Sequence, residues 1–157
     1  MKRENLYRGK RPNSGKWIYG FPYQENGFAW ILSERFKSPE CSCEVIEETL
    51  SESTGLISQK HKTNIDPRIF EDDVFRCTKE TDEGEDITSY LVVMLIKQRA
   101  AFYLVPICHY YIIKDNDVSE EAEFSWLFNE ASLSDFSLDS QLMKVGNIHD
   151  NPEYFTL

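Results

Sequence analysis

EVIEETLSESTGLISQKHKTNIDPRIFEDDVFRC, residues Glu44–Cys77, is the stretch on which the reading of the fold turns. The run Cys43–Thr49 can pair as a strand. Thr54–Gly55 predicts a turn after it, because glycine takes positive φ without a steric cost. The connection from Ile57 to Pro67 is polar and has no clear period, and it is long for a structureless loop in a compact domain. Val74–Thr78 then alternates as a half-buried strand does. Glu71, Asp72 and Asp73 invite a metal or acid–base reading. Adjacent side chains, however, scatter over both faces of a strand or around a turn, and that chemistry needs convergent carboxylates. A solvated entry to a strand is the plainer account.

The same texture extends in both directions. Asn5–Arg8 is a short strand candidate, Gly9–Gly15 is dense in turn residues, and Lys16–Phe21 reads as a strand. Asn26-Gly27 predicts a type I′ hairpin into Phe28–Leu32, with Phe21 facing Trp30 or Tyr19 facing Leu32. Ser33–Ser42 is irregular, with Pro39 as a breaker. Beyond Glu80–Asp86, an acidic hairpin tip, Ile87–Ile96 and Ala101–Ile107 are apolar enough to be central strands joined near Lys97–Ala100. His109–Ile113 is one more strand candidate. Val118–Ala131 is the best helix candidate: Ser119 can cap it, Glu120, Glu121 and Glu123 suit its first turn, and Phe124, Leu127 and Phe128 form a stripe. Leu142–Asn147 is a closing strand, followed by a turn at His149–Pro152.

Many short strands at close spacing imply a mainly β fold, a barrel-like array of antiparallel strands with one or two peripheral short helices. The chain, residues 1–157, is expected to be a single domain, with sub-lobes 1–80 and 81–157 as the finer division. Hydrophobic content of 41% is enough for a packed core without disulfides or metal.

The net charge of −10 opposes non-specific nucleic-acid binding. The charge is segregated, though. Lys2, Arg3, Arg8, Lys10, Arg11 and Lys16 crowd the start, and Asp115–Ser140 holds no Lys or Arg. Segregation of this kind suits a partner surface or head-to-tail self-association, or simply two solvated segments. The opening residues are polar and basic with no apolar h-region, and no run is long enough to span a membrane. A cytoplasmic protein with reduced thiols, and with no membrane partner, is the expectation.

Catalytic and cofactor motifs fail one by one. Gly9–Lys16 superficially resembles a phosphate loop, but its glycine spacing is wrong and Trp17 replaces the hydroxyl ligand. Cys41 and Cys43 share a face of a strand, yet the second paired knuckle of a zinc site is missing, and ordinary thiols fit as well. Glu80–Asp86 lacks the ligand spacing of a calcium loop. Cys108 and His109, if on a strand, point to opposite faces, which predicts a buried thiol and a half-exposed imidazole. No enzyme activity and no cofactor is expected. An enzyme would need folding to gather Glu71 and Asp73 with His109 or His149. One binding pattern does stand out: the aromatics Tyr7, Trp17, Tyr19, Phe21, Phe28 and Trp30 lie near basic residues. On a small β scaffold that pattern can stack single-stranded nucleic acid, with Lys10, Arg11, Lys16 and Tyr19 as the contacts. The alternative is that Trp17, Tyr19 and Phe21 alternate onto a core face.

Lys16-Trp17-Ile18-Tyr19-Gly20, Glu44-Val45-Ile46, Thr54-Gly55-Leu56, Ile69–Val74 and Val145–Glu153 (VGNIHDNPE) occur in an order that resembles the YopX family, proteins of bacteriophages and prophages in Gram-positive bacteria. The resemblance covers nearly the whole chain. It implies a β-rich, phage-encoded cytoplasmic protein and supplies no catalytic residues. It marks Thr54, Gly55, Phe70, Asp73, Gly146, Asn147, Asn151 and Pro152 as framework positions. Two features depart from the pattern: the Ile57–Pro67 connection is longer, and Asp72 stands where glycine is expected, a change that is tolerable if φ there is positive. The resulting expectation is a non-enzymatic module that binds a host or phage protein or itself, with single-stranded nucleic-acid binding as the alternative.

Overall fold

The structure, a computed structural model, describes residues 6–33, 42–58, 60–96, 101–115 and 142–156. The Cys41, Lys97–Ala100 and Val118–Ala131 expectations lie outside these residues, as does most of Ser33–Ser42. The fold is mainly β: the described residues form ten strands in two antiparallel sheets, with one short α-helix and several 3-10 turns. The chain divides into two compact units, Met1–Gly55 and Leu56–Leu157. A boundary at 80/81 would cut a hairpin in which Glu80 pairs with Asp86, so the division falls earlier than expected.

In the first unit β1 (Tyr7–Lys10), β2 (Trp17–Glu25), β3 (Phe28–Ser33), β4 (Ser42–Val45) and β5 (Ser51–Ile57) follow the order β4-β3-β2-β1-β5. Asn26 and Gly27 both take positive φ, 52° and 78°, as a type I′ turn demands. A two-residue turn places Glu25 opposite Phe28, so Phe21 meets Leu32 and Tyr23 meets Trp30. The expected Phe21/Trp30 register is therefore wrong by one pleat. Cys43–Thr49 is not one strand: β4 stops at Val45, and Glu47–Thr49 is a 3-10 turn.

The sheet curls around a small core of Ala29, Ile31 and Val45, with Ile18 and Leu50 packed against it. The curl brings β4 back to β1. A Cβ on Gly9 would stand 2.9 Å from Val45, and the Ile46 amide donates to the Lys10 carbonyl at 2.8 Å. One hydrogen bond is not a strand pair, so the expected barrel does not close; β4 remains an edge.

β5 crosses the unit boundary. Thr54–Gly55 is not a turn between strands but the middle of β5, where Gly55 takes φ 77° within the extended run. Glycine alone absorbs that conformation inside a strand at no steric cost, as in a bulge. β6 (Arg68–Phe70) follows β5 in the strand order.

The second unit is built on the order β10-β7-β8-β9, with β7 (Asp73–Glu80), β8 (Asp86–Ile96), β9 (Ala101–Pro106) and β10 (Leu142–Asn147). Both faces of this sheet are covered. Val74, Val92, Met94 and Val105 pack with Tyr110, Ile148 and Tyr154 on one side, and Phe75, Cys77, Val93 and Leu104 pack with Ile69 on the other. Burial on two faces explains why Leu91–Ile96 is continuously apolar instead of alternating. Each fully buried valine contributes about 1.5–3 kcal/mol of transfer free energy.

Among the described residues β9 is an edge strand, not a central one, which is where its terminal Pro106 is tolerated. After Pro106 the chain turns helical: Ile107–His109 is a 3-10 turn and Tyr110–Asp115 is α1, where a strand was expected. Proline carries no N–H to continue the ladder, and the turn that follows swings Tyr110 into the core.

The Ile57–Pro67 connection is not structureless. Ser58 donates its amide to the Pro67 carbonyl at 2.7 Å, closing the loop at its base. His61 bridges Lys144 in parallel, with Lys144 N to Lys60 O at 2.9 Å and Lys62 N to Lys144 O at 3.0 Å.

Candidate functional site

Alternation along a strand decides what the first unit shows to a partner. Trp17, Tyr19, Phe21 and Tyr23 are two apart, so all four point away from the Ala29/Ile31/Val45 core. Their cross-strand partners share that face: Arg8 opposite Tyr19, Lys10 opposite Trp17, Leu32 opposite Phe21, Trp30 opposite Tyr23, Phe28 opposite Glu25. The result is an aromatic row on the outer side of the curl. Phe21, Tyr23 and Phe28 are 40%, 37% and 56% exposed, and Tyr23 stacks on Trp30 with centroids 6.4 Å apart. Apolar residues expected on a core face therefore line an outer one. A shallow pocket of about 380 Å³ opens at Tyr23, Gln24, Glu25, Leu32 and Ser42.

Charge is graded along this face. At the β1–β2 end, the guanidinium of Arg8, a buried residue, lies 4.5 Å from the Trp17 ring centroid and the ammonium of the half-buried Lys10 5.5 Å. Arg11 and Lys16 are exposed on the turn, held by Arg11 N to Lys16 O at 3.0 Å and Gly15 N to Arg11 O at 2.9 Å. The Lys10 amide donates to Thr49 Oγ1 at 2.9 Å. Lys10, Arg11, Lys16 and Tyr19, expected as contacts, thus occupy one hairpin. At the opposite end the exposed carboxylates are Glu25 and Glu44.

The second unit gathers the acidic triplet differently from any sequence expectation. Asp72 takes φ 68°, a left-handed conformation that aspartate is among the residues to visit. Its Oδ1 accepts from the Tyr110 hydroxyl at 3.1 Å, and its Oδ2 meets His149 Nε2 at 2.9 Å, a hydrogen bond donated by the Nε2–H tautomer. Lys114 Nζ donates to the Tyr110 oxygen at 3.2 Å. Burial, and then the Asp72 carboxylate, hold the Tyr110 hydroxyl well above the ordinary phenol range. The phenol therefore stays protonated and serves as a donor. This chain of groups ties α1 and the C-terminal turn to the β6–β7 turn.

Asp73, the first residue of β7, meets a different set of partners. Its Oδ2 accepts from the Phe70 amide at 2.8 Å and pairs with Lys144 Nζ at 2.7 Å, the two side chains being 0% and 2% exposed. Lys144 also donates to the carbonyls of Asp66 and Arg68, at 2.8 and 2.5 Å. Its ammonium thus has three acceptors, the full capacity of that group. Asp66 is itself held by Arg68 at 2.8 Å. Burial would raise the Asp66 carboxyl, but the hydrogen bonds and charge of Arg68, with Lys144 adding, outweigh it and leave it below its usual value.

The framework positions fall in place around these groups. Thr54 is buried in β5, and Phe70 is fully buried at the end of β6. Asn147 Oδ1 accepts from the amides of His149 and Asp150 at 3.0 and 2.9 Å, and its Nδ2 donates to Asp150. Asn151 Oδ1 accepts from the Asn147 amide at 3.4 Å, and Pro152 opens a 3-10 helix that carries Tyr154 into the core. A Cβ on Gly146 would stand 2.1 Å from Asn151 Oδ1, so the turn packs against a bare backbone.

Of the groups an enzyme reading would gather, His149 meets Asp72, and Asp73 meets Lys144. Cys108 is exposed where a buried thiol was expected, because its 3-10 turn replaces the strand alternation. Sequence reasoning missed Lys144 and Tyr110 as partners of the triplet, and it set His149 beside Glu71 and Asp73 where the observed partner is Asp72. A lysine inside the apolar closing strand Leu142–Asn147 was the available signal. Among the described residues no cluster of His, Cys, Asp and Glu is placed to hold a metal, and no helix is long and apolar enough to cross a membrane. Comparisons with protein-family models, curated proteins and solved structures found no match.

Proposed function

We propose that this chain is a non-enzymatic binding module whose contact surface is the outer aromatic face of β2 and β3. The observation that carries the reading is the exposure of Phe21, Tyr23 and Phe28 side by side, on the face turned away from the core of their own sheet. Single exposed aromatics need no explanation, but a contiguous aromatic patch with a polar rim characterises interaction sites. The polar groups of the second unit are engaged with one another, which suits a structural latch better than turnover. The YopX resemblance of the motifs adds a setting: a phage-encoded protein acting in the cytoplasm of a Gram-positive host, on a host or phage macromolecule or a second copy of itself.

A photoreactive amino acid placed at Tyr23 or Phe28 in bacterial cells tests the reading. Covalent adducts are expected there and not at Glu48, which is exposed on the 3-10 turn outside the aromatic row. Equal yields at all three positions would sink it.

A further inference from the structure

Resting on that reading, we infer that the aromatic face binds single-stranded nucleic acid, with the β1–β2 hairpin holding the phosphates and the β2–β3 rings stacking the bases. Three observations combine. The first is the row itself. Same-face residues on a strand stand about 6.6–6.8 Å apart, twice the ~3.4 Å rise of stacked bases in a duplex. Phe21 and Tyr23 are two apart on β2 and both exposed. Rings at that spacing suit bases drawn apart from one another, which only a single strand offers. Sequence-tolerant stacking on aromatic side chains is the common mode of such binding.

The second observation is where the cations lie. Arg11 and Lys16 project from the turn that opens the row, with Lys10 half-buried beside Trp17. They form a local positive end on a chain whose net charge is −10. An acidic chain gains nothing from a basic cluster for solubility, and an anionic ligand complements it directly. The third is the acidic far end. Glu25 and Glu44 share the aromatic face and repel phosphate there. The strand is thereby confined to the row between the two ends. Trp17 to Tyr23 spans seven residues, or six steps and about 20 Å, which sets a short site of a few nucleotides.

Fluorescence anisotropy of the full chain with labelled oligothymidine tests this. Salt-dependent binding is expected, with a log–log slope of about −2 if three cations meet phosphates. The double variant Arg11→Glu/Lys16→Glu should lose most of that slope. Phe21→Ala should weaken binding at least about fivefold with little change in slope. Glu25→Lys should tighten it. Circular dichroism confirms that each variant keeps its fold, and all four positions are exposed enough to allow that. Absence of binding at low salt, equal affinity for a duplex, or binding unmoved by these substitutions would each overturn the inference. Crosslinks at Tyr23 and Phe28 that resist nuclease, with no oligonucleotide binding, would leave the contact face standing and remove the ligand class. Absence of both would remove the two readings together.

Discussion

Lys144→Met tests the reasoning about the buried ion pair most directly. The side chain is nearly the same length, so the substitution deletes charge and donors with little change in volume. The Asp73 carboxylate keeps the Phe70 amide and loses a cation at 2.7 Å, in a place where neither side chain reaches solvent. The Asp66 and Arg68 carbonyls lose a donor as well. Removing one partner of a buried pair costs about 3–5 kcal/mol, chiefly because the other charge is left without compensation. Against a domain stability of about 5–15 kcal/mol that is a large fraction. Native-state hydrogen exchange localises the effect to the second unit. Amides of β7 and β8 should exchange faster by about two to three and a half orders of magnitude. Adding Asp73→Asn, which keeps an acceptor for the Phe70 amide, should recover at least about 1 kcal/mol through the coupling of contacting sites. If Lys144→Met costs under about 1 kcal/mol, or if the two substitutions simply add, the pair does not hold β7 and β10 as argued.

Two further outcomes follow from the same geometry. Gly146→Ala drives a Cβ into Asn151 Oδ1, so it should cost about 1–3 kcal/mol in urea denaturation, and Asn151→Gly in the same chain should return part of that; an uncoupled pair would contradict the contact. Tyr110 has a folded pKa raised above its ordinary 10.0, so the folded state holds a proton that the unfolded state releases. Its contribution is fully present below about pH 10 and is lost as pH rises further. Tyr110→Phe should cost about 0.5–1.5 kcal/mol at neutral pH and flatten the alkaline fall in stability; an unchanged alkaline slope would remove Tyr110 as its source.

Part of this was legible in the residues alone. Asn26-Gly27 specified its hairpin because both positions accept positive φ, and alternation along Trp17–Tyr23 specified that four aromatics share a face. The apolar content of Ile87–Ile96 and Leu142–Asn147 placed strands where strands occur. Those are local properties, set by backbone sterics and by the period of the strand.

Tertiary structure decided what each face meets. No local rule says that the row opposite the Ala29/Ile31/Val45 core stays open while both faces of β7 and β8 are covered. Asp72 and Asp73 are adjacent, and their fates diverge because Asp72 sits in the turn at φ 68° while Asp73 opens β7. One then meets Tyr110 and His149, and the other meets Lys144, groups that β10, α1 and the closing turn bring from distant parts of the chain. The amino-acid sequence by itself determined that the triplet would split. Which partners would satisfy each half depended on strand order, and strand order is settled by the packing of whole sheets, not by any neighbour in the chain.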